Sequence, residues 1–337
     1  MRTRIRSMDE ILKKEMYMIK KLIFVLLLAM AFFIAVGPAQ AAILNVDVNG
    51  GPGVYTSIQA AVDAAASGDT IMVGPGTYDG FIVMLKSVKV IGSGNDTLIT
   101  RAQTKDARFY GDAITILRAN ETEINNLAID ISGDPPPAGS TPCGIDLRRS
   151  NGAVINGVEI RKTNTVAINA FLSDNIKLIH NKIKGFPADF ISTDDNPPTG
   201  FTLFGITNSL VAFNHVVSDN TDVAASGIFL YNYFTIFPAA GNKIVHNIIQ
   251  TKTGTNNAYG FALVEDSPGM VKNNLIGFND FRGSAPDQII VWPPDLVSCT
   301  SSSDACNIFS RNLGDNRRYA PLPSGYKVNI FRPGLED

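Results

Sequence analysis

An asparagine followed two residues later by an aliphatic residue recurs inside short β-prone runs. The pairs are Asn125 and Leu127, Asn156 and Val158, Asn181 and Ile183, Asn214 and Val216, Asn247 and Ile249, and Asn273 and Leu275. They repeat at roughly 25–33 residues, the irregular beat of supersecondary units stacked on one another with loops of varying length. Asparagine suits the corner of such a unit, because it tolerates the left-handed backbone region and its amide bonds its own turn. Stacked at the inter-strand spacing of about 4.8 Å, these amides can also bond one another along the axis. The expectation is an asparagine ladder running down a solenoid.

A second series keeps step with the first. Gly144-Ile145-Asp146-Leu147, Val166-Ala167-Ile168, Gly227-Ile228-Phe229-Leu230, Gly260-Phe261-Ala262-Leu263 and Gln288-Ile289-Ile290-Val291 lie between the asparagines. Each unit therefore reads as strand, turn, strand, loop, with no helical period in the central region. Like strands one unit apart must run parallel and bury their inward side chains as aliphatic rows.

A solenoid exposes an apolar end unless something covers it. Thr56-Ser57-Ile58-Gln59 reads as a capping box opening a helix. Ile58, Ala61, Val62 and Ala65 then share one face, and Gly68 is placed to end the helix. Asp69 to Val73 follows as a strand, and Gly74-Pro75-Gly76 turns the chain into Thr77-Tyr78.

The stretch from Tyr55 to Tyr78 resembles the N-terminal cap and first coil of the pectin lyase-like right-handed parallel β-helix superfamily. The resemblance implies an all-β, single-stranded right-handed parallel β-helix with an N-terminal amphipathic capping helix, its repeats running from about residue 43 to about residue 313. The expected organisation is a signal peptide (1–41), the cap and first coil (42–80), the coils (81–313) and a C-terminal tail (314–337) containing Pro321, Pro323 and Pro333. Activity is implied far less firmly, since one fold hosts many functions. The Gly-His-Gly and Arg-x-Lys of the polygalacturonases are absent, as are the pectate lyase hallmarks, and the paired Gln and Asp residues of pectinesterases cannot be placed.

Lys20 and Lys21, the apolar run from Leu22 to Val36 and Ala39-Gln40-Ala41 before Ala42 read as a secretory signal, too short and wrongly flanked for a membrane span. The expected location is secreted or periplasmic. Without residues 1–41 the chain holds 22 basic against 28 acidic residues, a net charge of −6. A mildly acidic surface argues against nucleic acid and anionic membranes as partners. A monomer is the expected unit.

Three cysteines are present. Cys299 and Cys306 flank Thr-Ser-Ser-Ser-Asp-Ala and read as a loop-closing disulfide in an oxidising compartment. Cys143, before the Gly-Ile-Asp-Leu strand, reads as a buried thiol. His180, His215 and His246 all flank ladder asparagines. Their spacing places His180 and His246 two coils apart, too far to share a metal, so they read as turn-flanking residues.

Loops erupting from one edge collect Asp130, Asp134, Asp189, Asp194, Asp195, Asp219, Asp222, Asp280 and Asp287. They read either as solvated acidic loops or, where neighbouring coils bring Asp194, Asp195 and Asp222 together, as a calcium site of hard oxygen ligands. The resemblance implies the chemistry for the second alternative: polysaccharide lyases of this superfamily use calcium to neutralise a uronate before a base takes the α-proton. Asp194 and Asp195 would be the catalytic carboxylates, with Arg161 or Arg282 as the cation. A second surface follows the Gly-Ile-x-Leu strands, where Arg148, Tyr231, Tyr233, Glu265 and Trp292 trail successive coils. In a row they would make a substrate groove with aromatic platforms, while the Tyr231–Phe237 segment reads equally as a hydrophobic flap. The expected activity is binding or processing of a polysaccharide or cell-surface glycan, with calcium as the one expected cofactor. The alternative is a non-catalytic surface or periplasmic scaffold.

Overall fold

In the computed structural model the chain divides into two compact units, Met1–Ala41 and Ala42–Asp337. The structure describes residues 13–27, 40–101, 111–131, 142–163, 165–185, 198–217, 226–232, 236–251, 259–282, 289–293, 296, 307–314 and 317–318. In the first unit, residues 13–27 are helical. No helix among the described residues is long and apolar enough to cross a membrane.

The second unit is a right-handed parallel β-helix. One sheet has nine strands, all parallel: Phe81–Met84, Ile114–Leu117, Cys143–Arg148, Val166–Phe171, Thr199–Phe204, Ser226–Tyr231, Phe261–Val264, Ile289–Trp292 and Arg317–Arg318. The other is a branched sheet of sixteen strands, whose main path runs from the N-terminal strands through Val154–Asn156, Lys177–Ile179, Leu210–Ala212, Lys243–Val245 and Leu275–Gly277 to Ile308–Ser310. The branch carries Glu159–Lys162, Lys182–Lys184, His215–Val217 and Ile248–Gln250. Parallel strands one coil apart require a crossover, and such crossovers are right-handed almost without exception.

The aliphatic rows expected from the sequence form the core. Phe81, Ile114, Ile145, Ile168, Phe201, Ile228, Phe261 and Ile289 stand in register down the nine-stranded sheet, every one buried. Opposite them stand Ile71, Val90, Ile124, Ile155, Leu178, Val211, Ile244 and Ile276. The small residue that opens each nine-sheet strand has a steric cause. A Cβ on Gly227 would lie 2.2 Å from Ile249 Cγ2 and 2.3 Å from Gly260 O, closer than any real contact.

The asparagine ladder exists, with a membership different from the sequence pattern. Asn181 Nδ2 donates to Asn214 Oδ1 at 3.0 Å, Asn214 to Asn247 and Asn247 to Asn279 at 2.9 Å, and Asn279 to Asn312 at 3.1 Å. Asn273 is not a rung; it is an exposed corner residue with φ 57°. Its neighbour Asn274 belongs to a second ladder, Asn242–Asn274–Asn307. Asn125 and Asn156 form a pair of their own at 3.3 Å. Each rung amide also donates to a backbone carbonyl, as Asn214 does to Leu178 O at 2.8 Å, which satisfies groups that the corners would otherwise leave buried and unmet.

The cap is present in altered detail. The helix spans Ile58–Ala64, and its N-cap is Ser57, one residue after the expected Thr56. Ser57 Oγ accepts from Ala60 N at 3.1 Å. Gln59 does not close a capping box. Its Oε1 accepts from Ile82 N at 2.7 Å and its Nε2 donates to Ile82 O at 3.2 Å, so the amide stands in for a neighbouring strand at the sheet edge. The helix ends before Gly68, because Ala65 is extended (φ −69°, ψ 142°) and Lys86 Nζ takes up the final carbonyls of Val62 and Ala65, each at 2.9 Å.

Candidate functional site

Alternation along each strand of the nine-stranded sheet sends two rows of side chains outward. One row is Thr115, Asp146, Asn169, Thr202, Phe229, Ala262 and Ile290. The other is Leu117, Arg148, Phe171, Phe204, Tyr231, Val264 and Trp292. Outward residues of a solenoid ordinarily meet water. Here Phe204, Phe229, Ala262, Val264 and Ile290 are buried, and they form a second apolar cluster with Cys143, Val166 and Tyr259. Phe171, Tyr231 and Trp292 pack against that cluster while keeping part of their surface open. Cys143 is buried, as expected.

The rows open on a polar head. Arg148 Nε donates to Asp146 Oδ2 at 2.8 Å and to Oδ1 at 3.0 Å, and Asn169 Nδ2, one coil further, donates to the same Oδ1 at 2.7 Å. The Arg148 guanidinium lies 5.8 Å from the centre of the Phe171 ring, a desolvated cation–π contact. Asp146 and Asn169 are fully buried and Arg148 is 5% exposed. Two atoms of this head have no hydrogen-bond partner, Arg148 Nη2 and Asn169 Oδ1. Beside it, Asp112 accepts from Thr115 Oγ1 at 3.1 Å and from Cys143 N at 2.8 Å.

Aromatic rings continue from the head. Phe171 and Phe204 meet edge to face at 6.4 Å, and Phe204 and Tyr231 do the same at 5.5 Å. Phe229 lies 5.9 Å from Tyr231 on the adjoining row. Burial, followed by the charge and hydrogen bond of Asp266, pushes the Tyr231 phenol far above its ordinary range, so it stays protonated as a donor. Asp266 is itself positioned by the buried Asn232, whose Oδ1 accepts from Asp266 N at 2.8 Å.

Of the binding residues expected from sequence, Arg148, Tyr231 and Trp292 occupy one in-register row. Glu265 lies one position past the row. Its Oε1 accepts from Met270 N at 2.7 Å and Val271 N at 2.8 Å, so the carboxylate fixes a turn. Tyr233 lies outside the described residues.

Asp194, Asp195 and Asp222 lie outside them as well, and the catalytic and calcium expectations resting on them have no geometry. The same is true of Cys299 and Cys306. Among the described residues no three His, Cys, Asp or Glu side chains are grouped to hold a metal ion. Arg161 belongs to the branch of the larger sheet, where its Nε bonds Glu159 Oε1 at 3.1 Å and its Nη2 donates to Asn95 O at 3.0 Å. Arg282 is exposed and pairs with Asp280 at 2.7 Å. The structure brings neither arginine to the outer face of the nine-stranded sheet.

His180 and His246 alternate with Phe213 and Phe278 in one corner column, all four with φ between 55° and 58°. Their rings stack at 5.3, 5.2 and 5.1 Å, and Arg311 covers Phe278 at 5.5 Å. His215 lies in the strand His215–Val217, away from this column. Turn-flanking roles account for all three histidines.

Asp146 and Asn169 were not singled out in the sequence as site residues. Asp146 stands at the outward x of Gly-Ile-x-Leu, and an acidic residue in an otherwise apolar strand was the available signal. Asn169, in Val166–Phe171, has no such mark.

No protein-family model matches the chain, and no curated protein does. Solved structures do match. The catalytic domain of an α-1,3-glucanase in complex with tetrasaccharides superposes with a TM-score of 0.54 at 14% identity, over 82% of this chain and 46% of that one. This chain thus spans less than half of the glucanase's length. A pectin methylesterase from Aspergillus niger gives a TM-score of 0.46 at 13% identity, over 84% and 90% of the two chains. An alginate lyase from a Paenibacillus species gives 0.44 at 12% identity, over 80% and 95%. At such identities the likeness is one of fold: this chain has the pectin lyase-like right-handed parallel β-helix fold.

Proposed function

We propose that this protein binds a polysaccharide along the outer face of its nine-stranded sheet. The observation that carries the reading is the row Arg148–Phe171–Phe204–Tyr231–Val264–Trp292, one residue per coil in unbroken register. Strand spacing sets these side chains about 4.8 Å apart, so the row is a linear track with a polar head and aromatic surface beyond it. A chain of sugar rings, apolar on its faces and hydroxylated at its rim, matches such a track. The glucanase bound to tetrasaccharides gives this fold a precedent for oligosaccharide ligands.

The head serves binding rather than bond cleavage. Both carboxylate oxygens of Asp146 already accept from Arg148, and one also accepts from Asn169, which orients the group and leaves it no proton to move. Lyase or hydrolase action would have to come from groups beyond this head, and appearance of unsaturated or reducing ends on incubation with polysaccharide reports it. Export is part of the same reading. It rests on Lys20, Lys21, the apolar run and Ala39-Gln40-Ala41, and a mature N-terminus at Ala42 tests it.

Binding is tested by retention on immobilised neutral and acidic polysaccharides, with Tyr231→Ala as the variant. Loss of about tenfold in affinity supports the track. Equal retention of the variant and the native protein contradicts it.

A further inference from the structure

The polar head shows which sugar chemistry the face takes, an inference that rests on the polysaccharide reading above. We infer that Asp146, Arg148 and Asn169 form a subsite for an uncharged sugar hydroxyl, and that the face selects neutral chains over uronates.

The argument starts from what the head leaves unmet. Arg148 spends Nε on Asp146, and its Nη2 is without a partner. Asn169 spends Nδ2 on Asp146, and its Oδ1 is without a partner. All three side chains are more than nine-tenths buried, so bulk water does not satisfy them, and a buried polar group left unmet is costly. The head thus offers one donor and one acceptor, gathered around a single carboxylate.

Few groups complement both. A hydroxyl accepts from Arg148 Nη2 and donates to Asn169 Oδ1 at once. A carboxylate supplies acceptors only, and would face Asn169 Oδ1 as well as the Asp146 charge. The charge of Arg148 gives a uronate little compensation, because Asp146 sits 2.8 Å from Nε and neutralises it. An ammonium group supplies donors only and would face the guanidinium. Access lies along the row, where Phe171 keeps part of its surface open beside the Arg148 guanidinium. A pyranose approaching over Phe171 brings a C–H face to the ring and a rim hydroxyl to the head.

The test is calorimetry on the purified protein with two neutral gluco-hexasaccharides, one α-1,3-linked and one β-1,4-linked, and with hexagalacturonate at matched ionic strength. Asn169→Ala removes the acceptor. Arg148→Lys keeps a cation beside Asp146 and removes the guanidinium fork. The expected result is at least about tenfold tighter binding of a neutral hexasaccharide than of the uronate, with that affinity falling about tenfold in each variant that melts as a folded protein. Tighter uronate binding overturns the subsite and leaves the polysaccharide reading standing. Neutral binding unchanged in folded variants means a resident water only, and also overturns it. No binding of any of the three removes the polysaccharide reading itself. Should both variants fail to fold, the neutral-to-uronate ratio of the native protein decides.

Discussion

Arg148 Nε sits 2.8 Å from Asp146 Oδ2 on the outside of a parallel sheet, yet the two side chains are only 6% and 0% exposed. Strand alternation sends both residues away from the solenoid core, and a second layer of apolar residues closes around them. Removing Arg148 therefore strands a buried carboxylate. Arg148→Ala is expected to cost about 3–5 kcal/mol in urea unfolding, and the double change to Ala at both positions less than that single change. A single-variant cost below about 1 kcal/mol would show the pair to be solvated.

Asn247 and Asn273 carry the same local sequence mark and predict opposite outcomes. Asn247 Oδ1 accepts from the backbone and side chain of Asn214, while its Nδ2 serves Val211 O and Asn279 Oδ1. Asn247→Ala strands several buried groups, each worth about 1–3 kcal/mol, whereas exposed Asn273→Ala meets only a left-handed backbone cost of about 1 kcal/mol. Thermal melts of the two variants distinguish a rung from a corner.

Gly227→Ala places a methyl group 2.2 Å from Ile249 Cγ2 and 2.3 Å from a backbone carbonyl. The two sheets must part there, at an expected cost of at least about 1–3 kcal/mol. An unchanged midpoint in denaturant would mean that the strand openings tolerate Cβ and that the glycines are incidental.

Glu159 links charge to acid stability. Burial alone would raise its carboxyl, but the hydrogen bonds and charges of Arg161 and Lys184 outweigh that and hold it below the ordinary range. A depressed folded value means that this contribution is present above the unfolded value of about 4.3 and is lost as pH falls through the folded one. With Arg161 and Lys184 34% and 35% exposed, the contribution is worth about 0.5–1 kcal/mol. Stability of the Arg161→Ala, Lys184→Ala double variant should trail the native protein at pH 7 and converge with it below about pH 4. A gap that persists at low pH would assign the loss to packing.

The fold was legible because its strongest determinants are periodic. Ile145, Ile168, Ile228 and Phe261 recur at the same place in each unit, and the parallel stack follows from them. Ladder membership was less legible: Asn273 and Asn274 are adjacent, and which of them turns inward depends on the φ of 57° at Asn273, a property of the corner rather than of local composition. Gly68 misled for a related reason, since Lys86, distant in sequence, ends the helix earlier. At the candidate site, Arg148, Tyr231 and Trp292 were readable because each follows its strand motif at the same offset. The burial of Asp146 and Asn169 was not, because it arises from a second apolar layer on a face that alternation alone assigns to solvent.

Trp292 is the single tryptophan of the chain and stands on the proposed track. Its fluorescence during titration with neutral gluco-hexasaccharide is the most direct measurement. Saturable change in Trp292 emission, with a midpoint matching the calorimetric affinity and weakened about tenfold by Tyr231→Ala, is the predicted result. Saccharide binding by calorimetry with silent Trp292 emission, or with Tyr231→Ala indifferent, would place the ligand elsewhere and contradict the account.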